Sequence, residues 1–303
     1  MKNNMLRGKI TEILLDKYIV KLIENDKQNE IIDVFTRGNI KKKTNILVGD
    51  IVIVEKLYDR FVIQEVEKRK NELIRPPVSN IDNLVIVLSI FNPEPDYMLL
   101  DKQIAFCFAH NINPIICVNK IDIQNEQVDI NIKYINDVYS KIGIEIIYTS
   151  AKEKIGIDEL INKILNQTSA FSGNSGVGKS SITMEIVNEE NIEINSVSDK
   201  NNRGRHTTKY VKLYQIKKDT YILDTPGFSS YELYDVEAKE LKNYYPEFYN
   251  SKCDYADCTH IKEDETVCDI KRKVKDGIID KERYNRYIYI YEKLKEKEDK
   301  KYK

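Results

Sequence analysis

The sequence predicts a multidomain α/β chain in three parts: an all-β barrel (1–70), an α/β phosphate-loop domain (71–235) and a metal-binding helical module (236–303). Three observations carry this. Short β-branched stretches crowd the N-terminal part, apolar strand-like runs then alternate with helical ones, and Cys253, Cys258, His260 and Cys268 cluster near the C-terminus.

A chain of 303 residues is long enough for two or three cores. Charged residues make up 32% of it, and no apolar run reaches about 18 residues, so no membrane span is expected. The opening MKNNMLRGKI lacks the apolar core of a secretory signal. Five cysteines in such a chain fit a cytoplasmic setting, where clustered thiols hold metal more often than they pair. The net charge of −1 conceals basic ends: +4 over residues 1–80 (16 basic against 12 acidic) and +6 over 271–303 (13 against 7), leaving −11 between them. Such ends either meet a polyanion or are solvated faces.

In order, Lys9–Leu15, Tyr18–Ile23, Ile31–Phe35, Asp50–Glu55 and Phe61–Val66 read as short strands, punctuated by Gly8, Gly38 and Gly49. Five such strands suit a small barrel of the OB type, either a nucleic-acid platform edged by Arg37–Lys43 or a packing module. Asn71–Asn80 reads as an extended linker because of Pro76–Pro77. Asn83–Ile90 is a continuous apolar run, as a strand buried on both faces requires. Helix (Met98–His110), strand (Pro114–Val118), helix (Val128–Lys141), strand (Ile144–Tyr148) and helix (Ile157–Asn166) follow, the alternation of a doubly wound sheet. Cys107 and Cys117 fall in apolar stretches and read as core.

A strand-like Ser169–Ser172 leads into Gly173–Ser181, GNSGVGKSS, and a helical run Ser180–Val187 follows. This fits GxxxxGK[ST], a loop of Gly173, Asn174, Ser175, Gly176, Val177 and Gly178 whose N–H groups point at phosphate oxygens. Lys179 is placed to reach the β- and γ-phosphates and the Ser180 hydroxyl to ligate Mg²⁺, with Ser181 beside it. Asn119–Asp122 (NKID) sits just past a strand, where sheet ligands bind. The Asp122 carboxylate can accept from guanine N1–H and N2–H₂, Asn119 can contact the far edge of the base, and the Lys120 stem can cover its plane. Thr149–Lys152 (TSAK) offers backbone N–H groups at Ser150 and Ala151 to guanine O6. A base that leaves such buried groups unpaired is rejected by roughly 10⁴ or more. Downstream, a strand at Thr220–Leu223 enters Asp224–Gly227 (DTPG), with Asp224 suited to a water-mediated Mg²⁺ contact and the Gly227 N–H to the γ-phosphate. A threonine of His206–Thr208 is a further Mg²⁺ candidate.

The base motifs precede the phosphate loop, so the predicted domain is a circularly permuted P-loop GTPase domain. The γ-phosphate sensor then leads straight into the C-terminal module, so nucleotide state could move it. Phe228 stands where a water-orienting glutamine is common, which implies slow intrinsic turnover. His206 is a candidate to position water, or else a structural or RNA-contacting residue. Cys253, Cys258, His260 and Cys268 give C-x₄-C-x-H-x₇-C, a complete tetrahedral set for one structural Zn²⁺. Asp280–Lys297 reads as a helix with Tyr284, Tyr287, Ile288, Tyr291 and Leu294 on one stripe, and Arg283 and Arg286 beside it could reach phosphates.

Taken together, the barrel, IRPPVSNID, the order NKID–TSAK–GNSGVGKSS–GRHTT–DTPGF and the PEF…C…CxH…C ending with RYNRY resemble the RsgA (YjeQ-type) small-ribosomal-subunit biogenesis GTPases along nearly the whole chain. The resemblance implies slow hydrolysis of GTP to GDP, stimulated by the small (30S) subunit, late in its maturation near the decoding region, with release of another assembly factor. It implies that the nucleotide contacts fall on Asn119, Lys120, Asp122 and Gly173–Ser181. The effector threonine falls on Thr208, the proposed catalytic histidine on His206, and the zinc ligands on the three cysteines and His260. The His260–Cys268 gap is longer than is usual in the family, and Lys209 cuts the threonine run short. A monomer that contacts rRNA is expected. A permuted GTPase with another ribosomal or regulatory target, and an RNA-binding scaffold holding GTP without significant turnover, stay open as alternatives.

Overall fold

The computed structural model describes residues 5–23, 30–36, 45–189, 211–224 and 233–301. They divide into two compact units: Met1–Leu84, Ile157–Phe171 and Ser180–Phe228 in the first, and Val85–Gly156, Ser172–Lys179 and Ser229–Lys303 in the second.

The first unit opens with β1 (Met5–Ile13), β2 (Tyr18–Leu22), β3 (Ile31–Thr36), β4 (Ile51–Leu57) and β5 (Arg60–Val66). β1 pairs with β2 and β2 with β3 antiparallel, β3 lies parallel to β5, β5 pairs with β4, and β4 returns to β1. The sheet therefore closes into the expected five-stranded barrel. Period-2 alternation sends Ile10, Val20, Leu22, Val34, Val52, Val54 and Ile63 into one core, so a slip of one residue in any strand would turn its apolar set outward.

The segment around Pro76–Pro77 differs from the expected extended linker. Its flanks form a two-stranded hairpin, β6 (Glu72–Leu73) with β7 (Val78–Ser79). Ser79 Oγ donates to Asp50 Oδ1 (2.6 Å) and Asn80 Nδ2 to the Gly49 carbonyl (3.0 Å). Polar side chains buried this way must be hydrogen-bonded, and those bonds tie the segment back to the barrel.

In the second unit, β8 (Asn83–Ser89) is buried along its whole length, and β9 (Asn113–Asn119) and β10 (Glu145–Thr149) run parallel with Cys117 opposite Ile147. Helix α1 (Tyr97–Ala109) starts at Asp96, whose Oδ1 accepts the Leu99 N–H (2.9 Å), an N-cap. Helix α2 (Glu126–Ile135) is capped by Asn125 and continues through one π-turn (Asn136–Ser140). Cys107 and Cys117 are fully buried.

The first unit resumes with α3 (Ile157–Lys163) and β11 (Thr168–Ser172); α4 (Lys179–Glu189) begins at the end of the phosphate loop. β12 (Lys212–Lys217) and β13 (Thr220–Asp224) form an antiparallel hairpin, and β13 lies parallel to β11. Glu12 at the end of β1 stands opposite Lys212 on β12, and their side chains pair at 2.8 Å.

The second unit closes with α5 (Asp269–Lys275) and α6 (Lys281–Lys301). On α6, Tyr284, Tyr287 and Leu294 of the expected stripe are buried together with Ile290, while Ile288 and Tyr291 are half-buried. Arg283 and Arg286 do not reach toward solvent phosphates. Arg283 is 1% exposed and binds Asp101 Oδ1 and Glu247 Oε1, and Arg286 Nε binds Asp101 Oδ2 at 2.5 Å. Tyr139 Oη donates to Asp101 at 2.8 Å. Two cations face two carboxylates, so the buried cluster is neutral overall and clamps α1 to α6. Among the described residues no helix is long and apolar enough to cross a membrane.

Candidate functional site

The phosphate loop starts where β11 ends. Gly173 has φ +135°, and a Cβ there would stand 2.1 Å from the Val87 carbonyl oxygen; Gly178 has φ +99°, and its Cβ would meet Asn119 Nδ2 at 2.2 Å. No other residue fits either place, for both dihedral and steric reasons. Val177 is buried, while Ser175 and Gly176 are exposed, as are Ser180 and Ser181 in the first turn of α4. Lys179 Nζ donates to the carbonyls of Gly173 (2.5 Å) and Asn174 (2.7 Å), and burial pulls its pKa below the usual lysine value. A loop of this shape opening a helix presents N–H groups to an anion.

Asn119, at the carboxyl end of β9, is 2% exposed and joins the loop to the TSAK segment. Its Nδ2 donates to the Val177 carbonyl (2.9 Å), and its Oδ1 accepts from Ala151 N (3.2 Å) and Thr149 Oγ1 (3.3 Å). Lys120 holds a left-handed backbone, φ 71°, and its Nζ donates to the carbonyls of Gly176 (2.8 Å) and Asn92. A strained non-glycine residue marks a place where surrounding contacts override local preference. Ser150 Oγ donates to Asp122 Oδ1 (2.6 Å) and accepts from Glu153 N (3.1 Å), which fixes the Asp122 carboxylate. NKID, TSAK and Gly173–Lys179 are thus brought together in the second unit. Asp224 ends β13, while His206, Thr208 and Gly227 lie outside the described residues, as does Arg37–Lys43.

Sequence reasoning missed the segment after β8. Besides Asn92, which accepts from Lys120, Pro93 Cδ lies 3.7 Å from the Cβ position of Gly176, and Asp96 Oδ2 accepts from Asn174 Nδ2 at 3.0 Å. The only sequence signal was an N-cap aspartate before a helical run.

The second constellation is the metal cluster. The ligand atoms of Cys253, Cys258, His260 and Cys268 lie within 4.8 Å of one another. His260 Nδ1 is 3.5, 3.3 and 3.6 Å from the sulfurs of Cys253, Cys258 and Cys268. An ion bonded tetrahedrally at 2.0–2.3 Å has ligands about 3.3–3.8 Å apart, so the residues fit a divalent metal with no position left for water. Burial pushes the Cys258 thiol up to about 12, and burial together with Lys242 lowers His260 to about 4. The imidazole is therefore neutral and free to donate a lone pair, whereas the buried Cys258 thiol needs a cation to ionise.

Four further side chains hold the loop. Glu263 accepts from the N–H groups of Thr259 and Ile261 (both 2.9 Å), Tyr287 Oη donates to the Thr259 carbonyl (2.7 Å) and Tyr284 Oη to that of His260. Phe248 packs edge-on against the His260 ring, centroids 5.3 Å apart.

These features match known proteins along the chain. The family model described as RsgA GTPase matches residues 66–234. The small ribosomal subunit biogenesis GTPase RsgA of Caldanaerobacter subterraneus subsp. tengcongensis is 38% identical over 277 residues, covering 90% of this chain and 92% of that protein. Its Bacillus subtilis counterpart is 35% identical over 298 residues, covering 97% and 99%. Among solved structures, YloQ, described as a circularly permuted GTPase, superposes with a TM-score of 0.82 at 31% identity, covering 97% of this chain and 96% of that one. YjeQ from Thermotoga maritima gives 0.81 at 29% identity, covering 96% and 98%. The chain belongs to the RsgA family of circularly permuted GTPases.

Proposed function

We propose that this protein hydrolyses GTP to GDP and phosphate, slowly by itself and faster on the small ribosomal subunit, in the late maturation of that subunit in the cytoplasm. The observation that carries the reading is Asn119, whose one amide holds both the phosphate loop at Val177 and the TSAK backbone at Ala151. A base-reading motif and a phosphate cradle joined by one buried side chain suit a purine nucleotide bound across them. The relatives named for small-subunit biogenesis supply the partner.

In this reading Asp122, pre-oriented by Ser150, reads guanine N1–H and N2–H₂, and the Ser150 and Ala151 amides face O6. The N–H groups of Asn174–Ser181 surround the β-phosphate. Lys179 leaves the Gly173 and Asn174 carbonyls for the β- and γ-oxygens. Water attacks the γ-phosphorus, the bond to the β–γ bridging oxygen breaks, the charge gathers on GDP, and the water's proton leaves with the inorganic phosphate. His206 orients that water, Phe228 having no group to do so, and the Gly227 N–H contacts the γ-phosphate. Mg²⁺ bound by Ser180, Thr208 and, through water, Asp224 would neutralise oxygen charge there; of these side chains the described one is Ser180, exposed in the first turn of α4. The cysteine–histidine site holds one structural Zn²⁺, and the three modules 1–70, 71–235 and 236–303 act as barrel, engine and metal-braced tail.

The test is GTP turnover with and without purified small subunits, for the wild type and for Lys179→Ala and Asp122→Asn. The subunit should stimulate the wild type, Lys179→Ala should lose phosphate affinity, and Asp122→Asn should move preference toward xanthosine nucleotides. Unchanged GTP affinity in both variants, or no stimulation, would overturn the reading.

A further inference from the structure

The phosphate loop is held from a side that the nucleotide motifs do not include. Asp96 divides its carboxylate: Oδ1 accepts the Leu99 N–H at 2.9 Å and so caps α1, while Oδ2 accepts Asn174 Nδ2 at 3.0 Å. Asn174 supplies the carbonyl on which Lys179 Nζ rests at 2.7 Å. Two hydrogen bonds therefore separate Asp96 from the lysine that the proposed function places on the β- and γ-phosphates. Two neighbouring contacts bring the approach to α1 near the loop: Asn92 accepts from Lys120, whose Nζ also donates to the Gly176 carbonyl, and Pro93 Cδ lies 3.7 Å from the Cβ position of Gly176.

We propose that Asp96 is a positioning residue for the phosphate loop, acting through Asn174 and never touching substrate. Helix α1 is a suitable anchor because buried charge ties it to α6. One turn beyond the cap, Asp101 is fully buried and gripped by Arg283, Arg286 and Tyr139. Those arginines stand on α6, the helix whose Tyr284 and Tyr287 hold the metal loop at His260 and Thr259. The cradle for the phosphates is thus referenced, through α1, to the metal-bearing end of the chain. A charge-assisted hydrogen bond outweighs a neutral one, so its loss lets Asn174 and the loop peptides sample other orientations.

The proposal rests on the nucleotide reading above, and a phosphate-resolved binding experiment separates the two. Binding of GDP and of GMP is measured on the full chain for the wild type, Asp96→Ser and Asn174→Ala. Serine keeps an N-cap oxygen but is too short to reach Asn174, so α1 stays capped. The expected result is about tenfold weaker GDP binding in both variants with GMP affinity unchanged, because the misplaced loop serves the β-phosphate and not the base; that is about 1.4 kcal/mol. The double variant should be no worse than either single one, since both remove the same bond. Asn174→Ala leaves the cap untouched and decides the matter if Asp96→Ser does not fold. Unchanged GDP affinity, equal weakening of GDP and GMP, or additive effects in the double variant would overturn the positioning role. A wild type that does not prefer GDP over GMP would overturn the nucleotide reading, and this proposal with it.

Discussion

Replacing Asp101 by asparagine keeps the shape of the buried cluster and removes one charge from it. Asp101 is fully buried and Arg283 nearly so, and the four ionised groups Asp101, Glu247, Arg283 and Arg286 sum to zero. Asp101→Asn leaves one net positive charge in a largely buried site. Glu247 still pairs with Arg283 at 2.5 Å, but Arg286 loses its carboxylate partner. Breaking a buried pair from one side costs about 3–5 kcal/mol, a large fraction of a typical stability of about 5–15 kcal/mol. Exposed pairs on the same helix, such as Lys293–Glu296, are half open to solvent, and Lys293→Ala should cost far less. Urea unfolding followed by circular dichroism, with hydrogen exchange on α1 and α6 to locate the effect, measures both. A loss below about 1 kcal/mol for Asp101→Asn, or one no larger than for Lys293→Ala, would refute the reasoning. Restoration of stability by apolar replacement of Asp101, Glu247, Arg283 and Arg286 together would support it, since well-packed apolar groups avoid the cost of desolvating charge.

Two further outcomes are expected. Burial lowers the pKa of Lys9 to about 8, against 10.5 in an open chain, while its Nζ donates to Thr168 Oγ1 at 2.7 Å. Between those values the unfolded chain binds more protons than the folded one, so stability should rise from about pH 8 to about pH 10.5. Lys9→Met should flatten that rise in pH-dependent urea midpoints; an unchanged slope would count against it. At the metal loop, burial alone would raise the Glu263 carboxyl, but the N–H groups of Thr259 and Ile261 bring it down to about 2. Its contribution is then complete above about pH 4.5 and fades as pH falls toward about 2. Glu263→Gln should weaken metal binding about tenfold in a chelator competition, and full chelation should abolish hydrogen-exchange protection over 253–268 before β8–β10.

The parts legible in the sequence were those written in local patterns. Barrel strands alternate with period 2, β8 is continuously apolar, and the phosphate loop and metal ligands have fixed spacings. What escaped depended on distant partners. β12 was missed because its two buried residues, Leu213 and Ile216, are three apart, and a register shift at Gln215–Lys217 breaks the alternation that marks a strand. Arg283 looked like a free cation because Asp101, its partner, lies 182 positions earlier. The proline pair did mark a break, but the buried Ser79 and Asn80 bonds that fold it into a hairpin come from Asp50 and Gly49. Asp96 gave only the sign of a helix cap; its second oxygen serves a residue 78 positions away.

The pairing of β1 with β12 bears on how the chain is made. A ribosome adding about 5–20 residues per second delivers Lys212 roughly 10–40 s after Glu12. Throughout that interval the outer end of β1 offers unmatched backbone groups to any neighbouring nascent chain. The strand carries its own deterrents at that end: an irregularity between Ile10 and Glu12 that spoils a straight template, and the charged Glu12, which Lys212 meets only when β12 is made. The residue that fastens β12 in the finished molecule thus guards the unfinished one.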